Sequence, residues 1–168
     1  MFVSRKPEEI KENPFSLIGH DWMLLTAAKP DGSFNTMTAS WGGVGVLWNK
    51  PVLYCFIRPQ RYTHEFTEAS ARISATFFSE DYRAALTLCG RKSGRELDKV
   101  KECGLTPVVG DGGHVYFAEA KLVLNGKKLY TGKIDPAGFA DAAIDKNYAL
   151  KDYHTVYVYE IEEVLVAE

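Results

Sequence analysis

The stretch "NTMTASWGG", residues 35–43, decides how this chain is read, because its residues alternate with the period of a β-strand. Thr36, Thr38 and Ser40 fall on one face, opposite Met37. A row of hydroxyl groups is too polar for a plain core face, and it lacks the charges of an ordinary solvated face. Two glycines then permit a close approach. The pattern therefore predicts a strand whose polar face and end have a particular partner.

The flanking segments extend this strand into a sheet. Residues 21–28 predict a strand, the Pro-Asp-Gly turn at 29–33 closes a hairpin, and residues 34–41 return. Further strands are predicted at 51–57, 72–78, 115–124 and 154–166. Short helices are predicted at 62–71, 81–88, 96–103 and 135–144, the first with Thr63 as its N-cap. Alternating strands with short inserted helices favour a mainly β fold, a small antiparallel barrel, over a doubly wound sheet.

Composition indicates an ordinary globular chain. Its 168 residues suit one domain, 1–168, which we divide no further than a polar N-terminal extension at 1–14. Twenty basic residues against 22 acidic ones give a net charge of −2, so no electrostatic case exists for nucleic acid or an anionic membrane surface. The polar start has no signal-peptide pattern, and the three separated cysteines are typical of a reduced chain. We therefore expect a cytoplasmic protein.

Several kinds of site are not indicated. The chain has neither a phosphate-binding P-loop pattern nor a dinucleotide-binding glycine pattern opening a helix after a strand. Its four histidines show no zinc spacing with one another or with the cysteines, so we expect no metal. No nucleophile elbow of the G-x-S-x-G type is present.

Two basic segments instead indicate an anion site. In "RPQRYTHE", residues 58–65, Arg58 and Arg61 stand at the start of a predicted helix, where free N–H groups and the helix dipole favour a phosphate. Surface arginines beside an ordinary Thr63 cap are an equally good interpretation. "GRKSGRELDK", residues 90–99, is a second candidate, with a solvated loop capped by Ser93 as its alternative.

Four motifs in order carry a family resemblance: "NTMTASW", "RPQRYTHEF", "KSGRELDK" and "DYHTVYVYEI". In this order and at these separations the chain resembles the flavin reductase-like family of FMN-binding split barrels, and within it the flavoredoxin group. The likeness covers about residues 16–164. It implies an FMN-binding split β-barrel with short helical insertions, a homodimer and a non-covalently held FMN.

The resemblance also implies a set of cofactor contacts. Thr38, Ala39 and Ser40 would meet the polar edge of the flavin ring, while Asn35 would hold the hairpin or touch the ribityl chain. The ribityl and phosphate end would fall to Arg58, Arg61, Tyr62 and Thr63, with further contacts from Lys92 and Ser93. The complete set of implied FMN contacts is Asn35, Thr38, Ala39, Ser40, Trp41, Arg58, Arg61, Tyr62, Thr63, Ser74, Lys92 and Ser93.

Three departures from the family pattern bear on this set. Ser74 stands where many relatives carry asparagine, and Tyr159 stands where relatives often carry glycine. A tyrosine there would crowd the groove in which a nicotinamide stacks, or would itself stack on a ring; its alternative is a side chain that points into the core or the dimer contact. The segment "LVLNGKKLY" lacks the cysteine that flavoredoxin-like relatives often carry. His154 would lie beside the nicotinamide site as the candidate catalytic group, and its alternative is a partly buried histidine satisfied by backbone at a dimer interface.

These observations predict an FMN-dependent oxidoreductase. Electrons would arrive from NADH, NADPH or a protein donor and leave to a flavin, oxygen or an electron-transfer protein. Two alternatives stay open: a flavoredoxin-like electron carrier without NAD(P)H activity, and a non-catalytic FMN-binding module. Tyr159 favours the carrier slightly, if it blocks nicotinamide stacking.

Overall fold

The computed structural model describes residues 1–168, and antiparallel strands dominate it. The ten strands are β1 (Phe2–Arg5), β2 (Met23–Ala28), β3 (Phe34–Ala39), β4 (Gly42–Leu47), β5 (Lys50–Ile57), β6 (Arg72–Phe77), β7 (Pro107–Val109), β8 (Val115–Phe117), β9 (Leu122–Lys133) and β10 (Thr155–Ala167). The helices are α1 (Pro14–Ser16), which continues into a π-turn at Leu17–Asp21, then α2 (Tyr62–Ala69), α3 (Arg83–Arg91) and α4 (Lys99–Glu102). Short 3₁₀ turns lie at Pro7–Glu9, Glu80–Tyr82, Asp111–Gly113, Pro136–Gly138 and Ala142–Tyr148.

The main sheet is a barrel with an unpaired seam. Its hydrogen-bonded order is β3-β2-β6-β9-β10-β5-β4, with β1 added to β10, while β7 and β8 form a separate hairpin. β3 and β4 are therefore the two ends of the sheet, yet only Ser40 and Trp41 separate them in sequence. So short a connection brings the two sheet edges together without a ladder between them. This is the split-barrel fold that the sequence predicts.

The opening stretch forms this seam. β3 pairs with β2 as far as Ala39, and pairing resumes at Gly42 opposite Cys55 of β5. Gly42 is required by packing, because a Cβ there would lie 2.9 Å from Cε of Met23 and 3.0 Å from the Tyr54 carbonyl oxygen. The close approach predicted for the glycines is thus one within the protein.

Two apolar clusters hold the structure. One fills the barrel and includes Met23, Leu53, Phe77 and Tyr157, each fully buried. The other lies where α3 and the β7–β8 hairpin cover the sheet, around Leu86 and other side chains. Together they hold β3, which carries part of the polar site, and β10, which follows the site residue His154.

Most predicted strands are confirmed within about two residues, but 115–124 is two strands, β8 and the start of a longer β9. The sequence prediction missed β4, because its glycines lack the β-branched and aromatic enrichment that marks a strand. The helix predicted at 96–103 shortens to α4. The helix predicted at 135–144 is wrong: Asp135 and Asp141 each cap a separate 3₁₀ turn.

The polar segment 1–14 is not a loose extension, since β1 pairs with the end of β10 from Phe2 opposite Ala167 to Arg5 opposite Val164. No helix in the structure has both the length and the apolar character needed to cross a membrane.

Candidate functional site

A cavity of about 200 Å³ opens at the barrel seam, and we call it the seam cavity. The end of β3 and the link to β4 form one wall, and β5 with the residue before β10 forms the other. Its lining residues are Met37, Thr38, Ala39, Ser40, Trp41, Phe56, Arg58, Arg61 and His154. The structure therefore brings together six of the predicted cofactor contacts with the predicted catalytic histidine, and adds Met37 and Phe56, which the sequence prediction missed.

The hydroxyl row of β3 divides between structure and cavity. The Thr36 hydroxyl is buried and bonded to that of Thr26, 2.9 Å away on β2. The Thr38 hydroxyl donates to the Leu86 carbonyl of α3, so its proton is used within the protein although the side chain lines the cavity. Ser40 lies beyond the last ladder pair of β3, where the backbone is free of the sheet. The groups left free to bind a ligand at the end of β3 are therefore Ser40 and the seam backbone, more than the threonine hydroxyls.

His154 lies buried at the wall of the seam cavity. Its Nδ1 and the Tyr148 hydroxyl are 2.8 Å apart and share a hydrogen bond. Its ring contacts those of Trp41 and Phe56, with centroids 5.4 and 6.4 Å away. Burial lowers the pKa of His154 to about 4, and the positive charge of Arg58 adds to the effect. The imidazole is therefore neutral at pH 7, and its partner is a tyrosine side chain rather than the backbone.

Arg58 belongs to the seam cavity and not to the predicted phosphate site. Its guanidinium donates to Asp152 at 2.6 Å and to the Asn147 carbonyl at 2.9 Å. Gln60 donates to the same Asp152 oxygen. This pairing lowers the pKa of the Asp152 carboxyl, which is therefore ionised and fixes the arginine against the cavity wall.

A second cavity, which we call the basic cavity, adjoins the first through Arg61, which lines both. Its volume is about 130 Å³, and the start of α2 and the loop after α3 surround it. Four cations line it and no carboxylate does: Arg61, Arg91, Lys92 and Lys99. Each cavity is smaller than the roughly 300–1,000 Å³ of a typical small-molecule site, but they adjoin at Arg61, so one ligand that spans both would have a cleft with a partly aromatic end and a basic end.

Arg61 stands at the junction of the two cavities. It is the N-cap residue of α2, in place of the predicted Thr63, and it caps with no side-chain bond to the helix. Its guanidinium donates to the Gly90 and Cys89 carbonyls at 3.1 and 3.3 Å, which holds it against the end of α3. Burial lowers its pKa, although a guanidinium stays protonated. The predicted phosphate arginine is thus preorganised.

The remaining predicted contacts other than Ser74 lie around the basic cavity. Thr63 is buried inside the first turn of α2 and accepts a hydrogen bond from the Asn35 amide at 2.8 Å. Asn35 thereby ties β3 to α2, a role the sequence prediction did not give it. Tyr62 and Ser93 line the cavity with the exposed Lys92.

Lys99 is the buried cation of the basic cavity, and sequence reasoning missed it. It ends the quoted motif "GRKSGRELDK", yet a lysine at a helix start reads as an exposed residue. In the structure it is buried, and its Nζ donates to the carbonyls of Thr36 and Cys89. Only the packing of α4 against β3 reveals it.

Comparison with known proteins identifies the family. A model described as the flavin reductase like domain matches residues 15–168. The chain belongs to the flavin reductase-like family. It is thereby placed among flavin-binding oxidoreductases, as the resemblance implied. No curated protein matches the chain.

Solved structures share this family's fold. The FMN-binding domain of a flavin reductases-like enzyme from Shewanella baltica OS155 is 17% identical with a TM-score of 0.70, over 99% of this chain and 77% of that one. Flavoredoxin of Desulfovibrio vulgaris (Miyazaki F) is 21% identical with a TM-score of 0.70, over 99% and 78%. An NADH:FAD oxidoreductase of Streptomyces globisporus C-1027 is 14% identical with a TM-score of 0.65, over 88% and 74%.

Two family departures do not reach the site in this flavin reductase-like chain. Ser74 is fully buried in β6 and donates to the Asn125 side chain at 2.7 Å, so its predicted cofactor contact is wrong. Tyr159 is fully buried among the barrel side chains, 5.9 Å from the Tyr157 ring between centroids. It lines neither cavity, so Tyr159 packs in the core, which is the alternative to crowding a nicotinamide.

Proposed function

We propose that this protein is an FMN-dependent oxidoreductase that passes electrons from a reduced nicotinamide or a protein donor to a flavin or protein acceptor. The observation that carries the proposal is the pair of adjoining cavities, of which one is partly aromatic with its Arg58 charge paired to Asp152, and the other has four cations and no carboxylate. A flat ring with an anionic tail matches this division of chemistry. FMN has that composition, whereas a neutral aromatic molecule would leave the basic end without a counter-charge.

The residues fit the parts of FMN in turn. Trp41, Phe56 and the neutral His154 offer apolar and aromatic surface for a ring. Ser40 and the backbone at the seam offer donors and acceptors to a polar ring edge. Arg61, held at the cavity junction, offers guanidinium donors that suit a phosphate. The bound cofactor supplies the two-electron chemistry, and the chain supplies position and electrostatics.

His154 acts by orientation and not by proton delivery under this proposal. With its pKa lowered to about 4, it carries no transferable imidazolium proton at pH 7. The bond to Tyr148 fixes its ring beside Trp41 and Phe56. A neutral, fixed imidazole offers a hydrogen-bonding group at the cavity wall without adding charge next to Arg58.

A homodimer forms part of the proposal. Apolar side chains are exposed around the seam: Phe15 at 88%, Val46 at 76%, Trp48 at 57% and Trp41 at 48%. A groove of about 420 Å³ between Phe15 and Trp41 shares Ser40, Trp41 and Phe56 with the seam cavity. β4 is moreover an edge strand with an open ladder side. A second copy on this surface would cover the apolar groups and narrow the cavity mouth.

We place the protein in the cytoplasm, where its three free thiols stay reduced.

Flavin binding and rapid reduction test the proposal. Purified protein is titrated with FMN and riboflavin by fluorescence quenching, then mixed in a stopped-flow instrument with NADH, NADPH or dithionite. We expect FMN to bind more tightly than riboflavin and one nucleotide to reduce the bound flavin. Reduction by dithionite alone would support the electron carrier instead, and failure to bind either flavin would refute both.

A further inference from the structure

Lys99 is a buried cation without an anionic partner. Its side chain lies in the wall of the basic cavity, and only 4% of the residue is exposed. Both of its hydrogen bonds go to main-chain carbonyls, those of Thr36 and of Cys89, the second at 3.2 Å. Carbonyl oxygens satisfy two ammonium protons but leave the unit charge uncompensated.

A second cation shares this position. The Cys89 carbonyl that accepts from Lys99 also accepts from Arg61 at 3.3 Å, so two positive groups converge on one oxygen at the end of α3. Two like charges held together away from water oppose each other in the free protein. A doubly charged anion in the basic cavity would remove that repulsion and satisfy the remaining donors of both side chains.

We propose that Lys99 binds the phosphate of FMN jointly with Arg61. A bound phosphate favours the charged form of Lys99, so the same contact makes FMN binding depend on pH. The inference rests on the proposed function, because it assigns a further residue and a pH dependence to the same cofactor site. It makes Lys99, absent from the motif-based set, a determinant of the preference for FMN over riboflavin.

The charges around Lys99 give the direction of the pH effect. Burial lowers the pKa of Lys99 to about 8, and the positive charge of Arg61 contributes to that shift. The charged and titratable groups around it are Arg61, Cys89 and Cys103, with Tyr62, Arg91 and Lys92 in the lining of the basic cavity and Asp98 next to it in the chain. Burial raises the pKa of Cys89 to about 12 and also raises that of Cys103, so both remain neutral thiols at pH 8. Lys99 is therefore the group that changes charge, and FMN affinity falls as pH rises above about 8.

Substitution of Lys99 gives the first test. Lys99→Met removes the charge and keeps much of the length, and Lys101→Met is its matched control, because Lys101 is exposed two residues further along α4. We expect Lys99→Met to weaken FMN binding about tenfold or more and to change riboflavin binding less than about twofold, since riboflavin lacks the phosphate. Lys101→Met should leave both affinities unchanged. Lys99→Arg should retain part of the FMN preference.

Calorimetry of the unmodified protein gives the second test and does not depend on a variant folding. FMN is titrated at pH 8 in two buffers of different ionisation enthalpy, with riboflavin as the reference. We expect uptake of about half a proton per FMN and none with riboflavin. No uptake with FMN, or an FMN preference that survives Lys99→Met, would overturn this inference and leave the proposed function standing. Wild-type protein that binds neither flavin would overturn both.

Discussion

Replacement of Arg61 by alanine is the most direct test of how the two cavities divide the cofactor. A guanidinium has five N–H donors. The structure uses two of them on the Gly90 and Cys89 carbonyls, which leaves three for a ligand. A hydrogen bond involving a charged group contributes about 1.5–3 kcal/mol. We therefore expect Arg61→Ala to weaken FMN binding by about 1.5–3 kcal/mol, which is roughly a 10- to 150-fold rise in Kd.

The assay is a fluorescence titration of FMN and riboflavin against wild type, Arg61→Ala, Arg61→Lys and Arg83→Ala. Arg83 is a matched control, since it lies on α3, pairs with Glu80 and lines neither cavity. Arg61→Lys should fall between wild type and alanine, because an ammonium keeps the charge without the planar fork. Riboflavin binding should change little in every variant. Equal losses for FMN and riboflavin would refute the reasoning and would make Arg61 a support of the fold.

Three further predictions concern other parts of the molecule. The buried Tyr159 hydroxyl has no hydrogen-bond partner, so Tyr159→Phe should raise the free energy of unfolding by up to about 1 kcal/mol in urea titrations. Flavin reduction should stay unchanged, and faster reduction would instead indicate that Tyr159 restricts access of the nicotinamide. His154 has a pKa of about 4 in the folded protein against about 6.5 in the unfolded chain, so its protonation opposes folding. The free energy of unfolding is therefore unaffected by His154 above pH 6.5 and falls by about 3 kcal/mol as pH falls toward 4. Denaturation of His154→Asn from pH 7 to 4 should show a shallower decline than wild type, and parallel curves would contradict the assignment. Val46→Lys on the exposed edge strand should convert the proposed dimer to monomer in light scattering, whereas an unaltered mass would place the interface elsewhere or show that no dimer forms.

The local patterns predicted much of the fold because their causes are local. Alternation and β-branched content marked β2, β3, β5 and β6, and the Pro-Asp-Gly turn marked the β2–β3 hairpin. The strand pattern failed for β4, whose glycines are not typical of a strand. Gly42 is needed there because it passes close to Met23 and to the Tyr54 carbonyl, which lie on other strands of the barrel.

The same distinction runs through the candidate site. The order of the motifs identified the family. The sequence also identified the residues of the seam, because the end of β3, the short link and the start of β4 are consecutive in the chain. It did not separate Arg58 from Arg61, which stand three residues apart in one motif. Arg58 is held at the seam cavity by Asp152, which lies in the segment just before β10, and this contact is visible only in the structure.

What the sequence alone determined is therefore the family, the split barrel and a basic segment near a helix start, all of which depend on neighbours in the chain. What the tertiary structure decided is which of those residues face the cleft. Tyr159 turns into the barrel and Ser74 faces Asn125 on the other side of the sheet. Phe56, Tyr148 and Lys99 join or support the site from strands, turns and helices distant in sequence. The sequence does not show which side chains are buried, because burial depends on the segments, distant in sequence, that pack against each of them.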